Sequence, residues 1–532
     1  MLLLYPPVAK PCEPPAGIAS LAGVVRRAGV VCRVADLGLE GMVHLLDGAG
    51  VPPAGDRWGR RAWKNREANL RALREPGTYG NVSRYRKAVL ELNRVVESAG
   101  GGGVRVGLAN YQDHELTPTR SADLLRMVVE PERSPFFALL RRRLPELLND
   151  QGDGWVGVSL NYLSQALSGF TLIGLVRRLA PATRVIVGGG LMTSWMRSPR
   201  WAEPFAGLID HCVAGPGEAP LLALLGRSDG AVGEGGRSGG LDFDGLMLDD
   251  YVAPGFIVPY SCSSGCYWNR CSFCPERAEG NRFVMKSPAE VHAELTGLTQ
   301  RYRPGLLHLL DNGVPPAVLD SFTAGYPGVP WYGFARIDKR LADADFCRRL
   351  KASGCVMLKL GLESGSQRVL DTLDKGIDLD TAAQALANLR RAGIATYVYL
   401  LFGTPAETEE DARRTMSFVG DHHRAITFLN LAIFNMPIDS PEAATVETMP
   451  FSDDDLALYT DFRHPQGWDR RQVRRFLDRE FKRQPPLAAI LRRDPPLFTS
   501  NHAPLLVMNG RWMERDSREP GGITNRKSGT GR

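Results

Sequence analysis

The chain has 532 residues, 43% of them apolar and 23% charged, with a formal net charge of +6. That length supports two or three domains with large cores, and so small a charge does not by itself call for a nucleic-acid partner. No apolar run reaches the roughly 18–20 residues of a membrane span, and Met1-Leu-Leu-Leu-Tyr-Pro-Pro lacks the basic segment of a targeting sequence, so a cytoplasmic location is expected.

Leu2–Tyr5 reads as a short buried strand stopped by Pro6-Pro7. Gly17–Ala28 reads as a helix closed by Gly29, and Val30–Ala35 as a second strand ending at Asp36. Strand, helix, strand at this spacing implies a parallel sheet. Residues 40–150 interrupt the rhythm with charged, helix-prone stretches at Arg57–Arg74 and Val82–Glu97, followed by the flexible run Gly100–Gly103, and are read as a helical insertion. The βα rhythm resumes at Trp155–Leu160, a helix around Leu167–Leu179, and the strand that ends in Gly188-Gly189-Gly190. Ile209–Ala214 leads to Gly215-Pro-Gly217-Glu218. Glycines directly after parallel strands lie at the carboxyl edge, where open α/β sheets take ligands and a bare backbone allows close approach.

Gly226–Gly240 is Gly/Ser-rich, and residues 226–250 are read as a linker. A second run of strands follows: Phe256–Pro259, Leu306–Leu310, Trp331–Ile337, Cys355–Leu362, Ile394–Phe402 and Ile426–Phe434. Helices separate them, one capped by the Ser287-Pro288-Ala-Glu290 box, one expected to be capped by Asp380 and closed by Gly393, and one started at Thr408. Six strands are too few for a closed eight-stranded barrel. Beyond residue 443 the chain turns polar and is read as a helical extension to 514, whose Gln472–Arg483 helix could cover the open barrel mouth. Residues 515–532 read as a disordered tail.

Between the first two of these strands lies the stretch that organises the chain, Cys262-Ser-Ser-Gly-Cys266-Tyr-Trp-Asn-Arg-Cys271-Ser-Phe273-Cys274-Pro275. Neither a helix nor a strand aims three cysteines spaced Cys-x4-Cys-x2-Cys at one centre, whereas a loop wrapped around a metal cluster does. Structural zinc usually takes two cysteine pairs a dozen or more residues apart. Disulfides need an oxidising compartment, and nine cysteines leave one over. A ferredoxin-type cluster uses four cysteines at other spacings. The reading is a cluster on Cys266, Cys271 and Cys274, one iron left open for a small ligand, with Cys262 a spare or functional thiol.

Gly265-Cys266 through Phe273-Cys274 resembles the cluster loop of radical S-adenosylmethionine (SAM) enzymes, with one extra residue between the first two cysteines. Gly361-Leu-Glu363-Ser364-Gly365-Ser resembles that family's fourth-strand motif. Pro14-Pro15-Ala-Gly17, Val158-Ser159, Val187-Gly188-Gly189 and Gly215-x-Gly217-Glu218 are similar to the cobalamin-binding domain that precedes many radical SAM cores. The resemblance implies a cobalamin-binding-like α/β domain over residues 1–225, an open six-stranded (β/α)6 partial barrel over 251–442, and a 4Fe–4S cluster held by the three cysteines. It implies SAM contacts at Phe273, Asp311, Arg336, Glu363, Ser364 and Gly403, and cobalamin contacts at Ser159, Gly188, Gly189, Gly215 and Gly217. Gly38 stands where other cobalamin domains carry an axial histidine, so cobalamin is expected base-off, with no histidine from that motif on cobalt. An empty, degenerate first domain is the alternative.

The function this implies is reductive cleavage of SAM to a 5′-deoxyadenosyl radical and methylation of an unactivated carbon of a small-molecule or peptide substrate, with an electron donor such as flavodoxin or ferredoxin. A non-methylating radical oxidation, cyclisation or rearrangement, and an iron–sulfur redox or sensor protein, are the competing classes. Methylthiolation of tRNA is disfavoured. The first domain offers only Cys12, Cys32 and Cys212 for a further cluster, and no small RNA-binding barrel is evident at the C-terminus.

Overall fold

A computed structural model describes residues 1–149, 154–227, 240–325, 327–496 and 502–507. The first unit is a five-stranded parallel sheet formed by β1 (Leu2–Tyr5), β2 (Arg33–Asp36), β5 (Trp155–Ser159), β6 (Arg184–Gly188) and β7 (His211–Cys212), in the spatial order β2-β1-β5-β6-β7. The hairpin of β3 (Val104–Val106) and β4 (Tyr111–Asp113) lies between β2 and β5 in the chain. Alternation in β1 sets the two faces. Leu2 and Leu4 enter the core made with the helices between residues 37 and 179. Leu3 and Tyr5 enter a second core that helix Ala16–Arg27 shares with the six-stranded sheet described below. The 40–150 stretch is mostly helical, as expected, but Gly100–Gly103 runs into the hairpin because the alternating Val104 and Val106 pair with Asp113 and Tyr111.

The second unit is a six-stranded parallel sheet of β8 (Ile257–Tyr260), β11 (Leu306–Leu309), β12 (Trp331–Ala335), β13 (Cys355–Glu363), β14 (Ala395–Phe402) and β15 (Phe428–Ile433), ordered strictly along the chain and not closed. The short antiparallel pair β9 (Ser263–Ser264) and β10 (Val284–Met285) brackets the cysteine loop. Helices cover the outer face. Ser287 and Glu290 cap helix Pro288–Tyr302 reciprocally. Helix Leu379–Ala392 is capped by Asp378 rather than Asp380, since the Asp378 carboxylate accepts the Thr381 N–H, and Gly393 closes it at φ +74°.

Three expectations need correction. Residues 240–250 are not a loose linker. Phe243 is fully buried with its ring 5.3 and 5.4 Å from those of Phe256 and Tyr302, and Asp242 pairs with Arg26 at 2.9 Å, so this stretch joins the two units by packing. Residues 228–239 of the expected linker, and the expected tail at 515–532, lie outside the described residues. The C-terminal extension is not purely helical, since β16 (Met436–Pro437), β17 (Thr448–Met449) and β18 (Tyr459–Phe462) form a small sheet. Finally, helix Arg470–Arg479 does not lie over the mouth. Its Val473 and Phe476 pack on Gly403 and on the outward-facing Phe402, because its apolar stripe matches the outer face beside β14.

Candidate active site at the facing sheet edges

The carboxyl ends of β5 and β6 and the turn after β7 carry small residues or bare backbone. Ser159 ends β5, and Gly188 ends β6. Gly189, at φ +105°, precedes helix Gly190–Arg197, and Gly215, at φ +78°, and Gly217 precede helix Glu218–Leu224. At Gly189 a Cβ would stand 2.4 Å from the Leu160 carbonyl oxygen, so only glycine fits this turn. Asn161 supports the edge by donating to Ser159 Oγ at 3.0 Å and accepting the Gly190 N–H at 3.0 Å. All five residues expected to meet cobalamin line one cavity of about 570 Å³, which also takes in Ser263, Gly265, Asp311 and Asn312 from the other unit. No histidine lines it among the described residues. The Asp36 loop is elsewhere. Asp36 accepts the Gly38 and Leu39 N–H groups and the Tyr251 hydroxyl, and burial pushes its carboxyl up to about 6.

The opposite wall of this cavity leads to the cysteine loop. Asp311, at the end of β11, accepts the Cys262 and Ser263 N–H groups at 3.1 and 2.7 Å and the Ser263 hydroxyl at 2.5 Å. The resemblance implies a SAM contact at Asp311. Its hydrogen bonds instead make it the anchor of the loop, although its residue still borders the cavity. Cys262 is fully buried beside it, and burial together with the Asp311 charge pushes its thiol well up. Burial raises the Cys271 and Cys274 thiols, the latter to about 11, and each also feels Cys266. Among the described residues no three His, Cys, Asp or Glu side chains close around a point as ligands of a single ion do. Thiolates on separate irons of a cluster stand farther apart than that. Three neighbouring thiols with no imidazole among them are therefore a donor set that suits an iron–sulfur cluster.

Around the loop the other expected residues take distinct places. Glu363 ends β13 at φ +68°, an unfavourable conformation for a side-chain-bearing residue, and its Oε1 is 2.8 Å from Nζ of Lys375. Lys375 also lies over the Phe273 ring at 5.5 Å, and its charge favours the Cys271 thiolate against burial. Sequence reading missed Lys375 because it sits in an aperiodic turn, Leu373-Asp-Lys-Gly376, that carries no motif. Arg336 stacks on Trp268 at 3.7 Å and donates to the carbonyls of Lys375 and Gly376. Trp268 was likewise unassigned. Its Nε1 donates to the Asp374 carbonyl at 2.9 Å and ties the loop to the same turn. Ser364 departs from the expectation of a ligand contact. It is fully buried, with its hydroxyl 3.1 Å from Thr415 Oγ1 and accepting the Ser366 N–H, so it shapes the strand end. Gly403, at φ +80°, gives its N–H to Glu407 Oε2 at 2.5 Å.

Residues 335–419 match the model of the Radical SAM superfamily, a stretch that starts downstream of the cysteine loop. An uncharacterized methyltransferase of Pyrococcus horikoshii is 27% identical over 186 residues, covering 33% of this chain and 39% of that relative. The match thus spans well under half of the curated relative's length. Among solved structures, the radical SAM methyltransferase TsrM from Kitasatospora setae, with tryptophan substrate and a SAM analog bound, superposes with a TM-score of 0.53 at 16% identity, covering 97% of this chain and 98% of its own. The cobalamin-dependent SAM radical enzyme OxsB, with aqua-cobalamin and SAM bound, gives 0.56 at 11% identity, covering 90% and 66%. Among the described residues no helix is long and apolar enough to cross a membrane. Residues 335–419 are thus similar to the Radical SAM superfamily, and the two facing sheets together have the fold seen in the solved cobalamin-dependent radical SAM enzymes.

Proposed function

We propose that the chain is a cobalamin-dependent radical SAM methyltransferase acting on a carbon of a small-molecule or peptide substrate. One observation carries the reading: the glycine edge of the first sheet and Ser263, Ser264 and Gly265, which open the cysteine loop of the second, border the same cavity of about 570 Å³, and the three cysteines lie further along that loop. Bound there, the cluster with SAM would supply one-electron cleavage of SAM, and cobalamin a transferable methyl group. Cys266, Cys271 and Cys274 would hold the cluster. Phe273, Arg336 and Glu363 would line the SAM side, while Asp311, Ser364 and Gly403 act through the backbone turns they fix. Ser159, Gly188, Gly189, Gly215 and Gly217 would seat the cobalamin.

The chain's own groups prepare this chemistry. Lys375 holds Glu363 at the strand end and brings a positive charge toward Cys271. Asp311 fixes the entry of the loop through three hydrogen bonds. Aromatic side chains wall the barrel interior and keep reactive species from water. A soluble flavodoxin- or ferredoxin-type donor in the cytoplasm would supply the electron. The test is anaerobic reconstitution of the full chain with iron, sulfide and cobalamin, followed by SAM and reductant. Iron and cobalamin bound together, with release of 5′-deoxyadenosine, are expected. A product heavier by one methylene marks methylation, and a product without that gain marks the non-methylating class.

A further inference from the structure

The inward-facing residues of the six-stranded sheet change character along the strands. At the amino ends Met357, Ala395 and Phe428 are sealed. Toward the carboxyl ends Phe334, Gly361, Tyr399, Leu401 and Asn430 are each partly exposed, while the alternate, outward-facing Leu358, Leu360, Val398 and Leu400 stay buried. Side chains alternate between faces along a strand, so this difference means that the half-barrel encloses a chamber open at its mouth. The walls are aromatic, with the Phe334 and Tyr399 rings 5.0 Å apart.

The floor of that chamber is ionic. Glu13, carried in on the Pro11–Pro15 turn of the first unit, stands 2.9 Å from His308 Nδ1, and His308 Nε2 is 3.1 Å from Lys359 Nζ. Burial holds His308 below its usual range although the Glu13 charge opposes this. The neutral ring then donates to Glu13 through Nδ1 and accepts the Lys359 ammonium at Nε2. Lys359 is 2% exposed, and among the described residues no carboxylate lies within ion-pair distance of it. Its ammonium is 5.1 Å from the Tyr332 ring centroid. Tyr332 stacks on His308 at 4.3 Å, is wholly buried, and has a hydroxyl with no hydrogen-bond partner. A buried ammonium with unspent N–H groups, over a buried ring whose hydroxyl is unpaired, is costly in a folded protein unless a ligand completes it.

We infer that Lys359 and Tyr332 bind a carboxylate of the substrate at the chamber floor, with the substrate's apolar or aromatic body between Phe334 and Tyr399. His308 and Glu13 are positioning residues that aim the ammonium and balance its charge. Burial brings the Lys359 ammonium down to about 8 against the pull of Glu13, so it is still charged at neutral pH. The inference rests on the proposed function for the identity of the ligand as substrate, and the floor itself stands on its own geometry.

The test uses the purified full chain and two probes, 3-phenylpropionate and its neutral amide, titrated by saturation-transfer NMR at pH 7. The acid is expected to bind about tenfold or more tightly than the amide, since a buried charge-assisted hydrogen bond is at stake. Lys359→Met should erase that preference, and Tyr332→Phe, which keeps the ring, should weaken the acid several-fold. Absence of acid binding, equal binding of acid and amide, or a folded Lys359→Met chain that keeps the preference would overturn the inference. Should Lys359→Met not fold, the acid–amide difference and Tyr332→Phe decide. SAM cleavage on the same preparation is scored separately. Its absence beside an intact carboxylate preference removes the proposed function and leaves the floor site standing, and the reverse outcome removes the floor site alone.

Discussion

The two carboxyl edges that meet at the central cavity are built from opposite materials. The edge of the first sheet offers bare backbone, with Gly188, Gly189, Gly215 and Gly217 and the small Ser159, supported by neutral hydrogen bonds from Asn161. The edge of the second sheet carries charge and sulfur: Glu363 paired with Lys375, Arg336 stacked on Trp268, Asp311 under the cysteine loop, and three grouped thiols. A bare edge selects a broad ligand by shape, and substitutions there act sterically. A charged edge selects by ion pairs and ligation, and substitutions there act through single groups. The same parallel βα architecture thus yields two unlike sites, according to what the residues after each strand leave exposed.

The largest expected effect lies on the charged edge. Cys266→Ala, Cys271→Ala and Cys274→Ala should each abolish the reconstituted cluster, measured as iron content and visible absorption. Cys262→Ala should retain it, because Cys262 is sealed beside Asp311, which accepts its N–H. Iron lost from the Cys262 variant and kept by the Cys266 variant would reverse the assignment. Next comes the steric edge. Gly189→Ala forces a Cβ against the Leu160 carbonyl at a positive φ, so it should cost on the order of 2 kcal/mol or more of stability and weaken cobalamin uptake. Gly217→Ala, at φ −87° and facing only the end of the Leu21 side chain at 3.3 Å, should leave stability nearly unchanged. Thermal melts of both variants give the contrast, and equal losses would dissolve it.

A smaller effect separates the residues within the charged edge. Glu363→Gln removes the partner of Lys375 and should weaken SAM binding by about tenfold with the cluster intact, the scale of one charge-assisted hydrogen bond. Equilibrium binding of SAM measures it, and an unchanged affinity would leave Glu363 a structural residue. The mildest effect is one of pH. Lys359 faces His308, Glu13, Lys10, Cys12 and the Tyr332 and Phe334 rings, and burial lowers its ammonium to about 8. Carboxylate binding at the chamber floor needs the charged form. It should therefore hold below that value and fade as pH rises through about 8, in 3-phenylpropionate titrations between pH 6 and 9.

Sequence alone reached much of this because glycines, cysteines and strand ends carry local signals. The five residues expected to meet cobalamin do border one cavity, since each ends or follows a parallel strand. The small sheet of β16 to β18 escaped notice because its strands are only two to four residues long and have no regular alternation. Asp311 and Ser364 also carry hydrogen bonds that fix the cysteine loop and the end of β13, and hydrogen-bond direction is not encoded in spacing. Lys375 and Trp268 escaped because they sit in aperiodic loops, and Glu13 and Lys359 for another reason. Glu13 and His308 are 295 positions apart in sequence and 2.9 Å apart in space, a contact that only the docking of one sheet edge onto the other creates.

The most direct measurement of the central claim is electron paramagnetic resonance of the full chain, with its cluster reconstituted and Co(II) cobalamin added. The cavity is bordered by glycines and lacks histidine among its described lining residues. Expected is a bound, base-off signal without nitrogen superhyperfine splitting. Splitting from a coordinated nitrogen would contradict an unligated lower face, and protein that carries an intact cluster yet binds no cobalamin would contradict the cobalamin site itself.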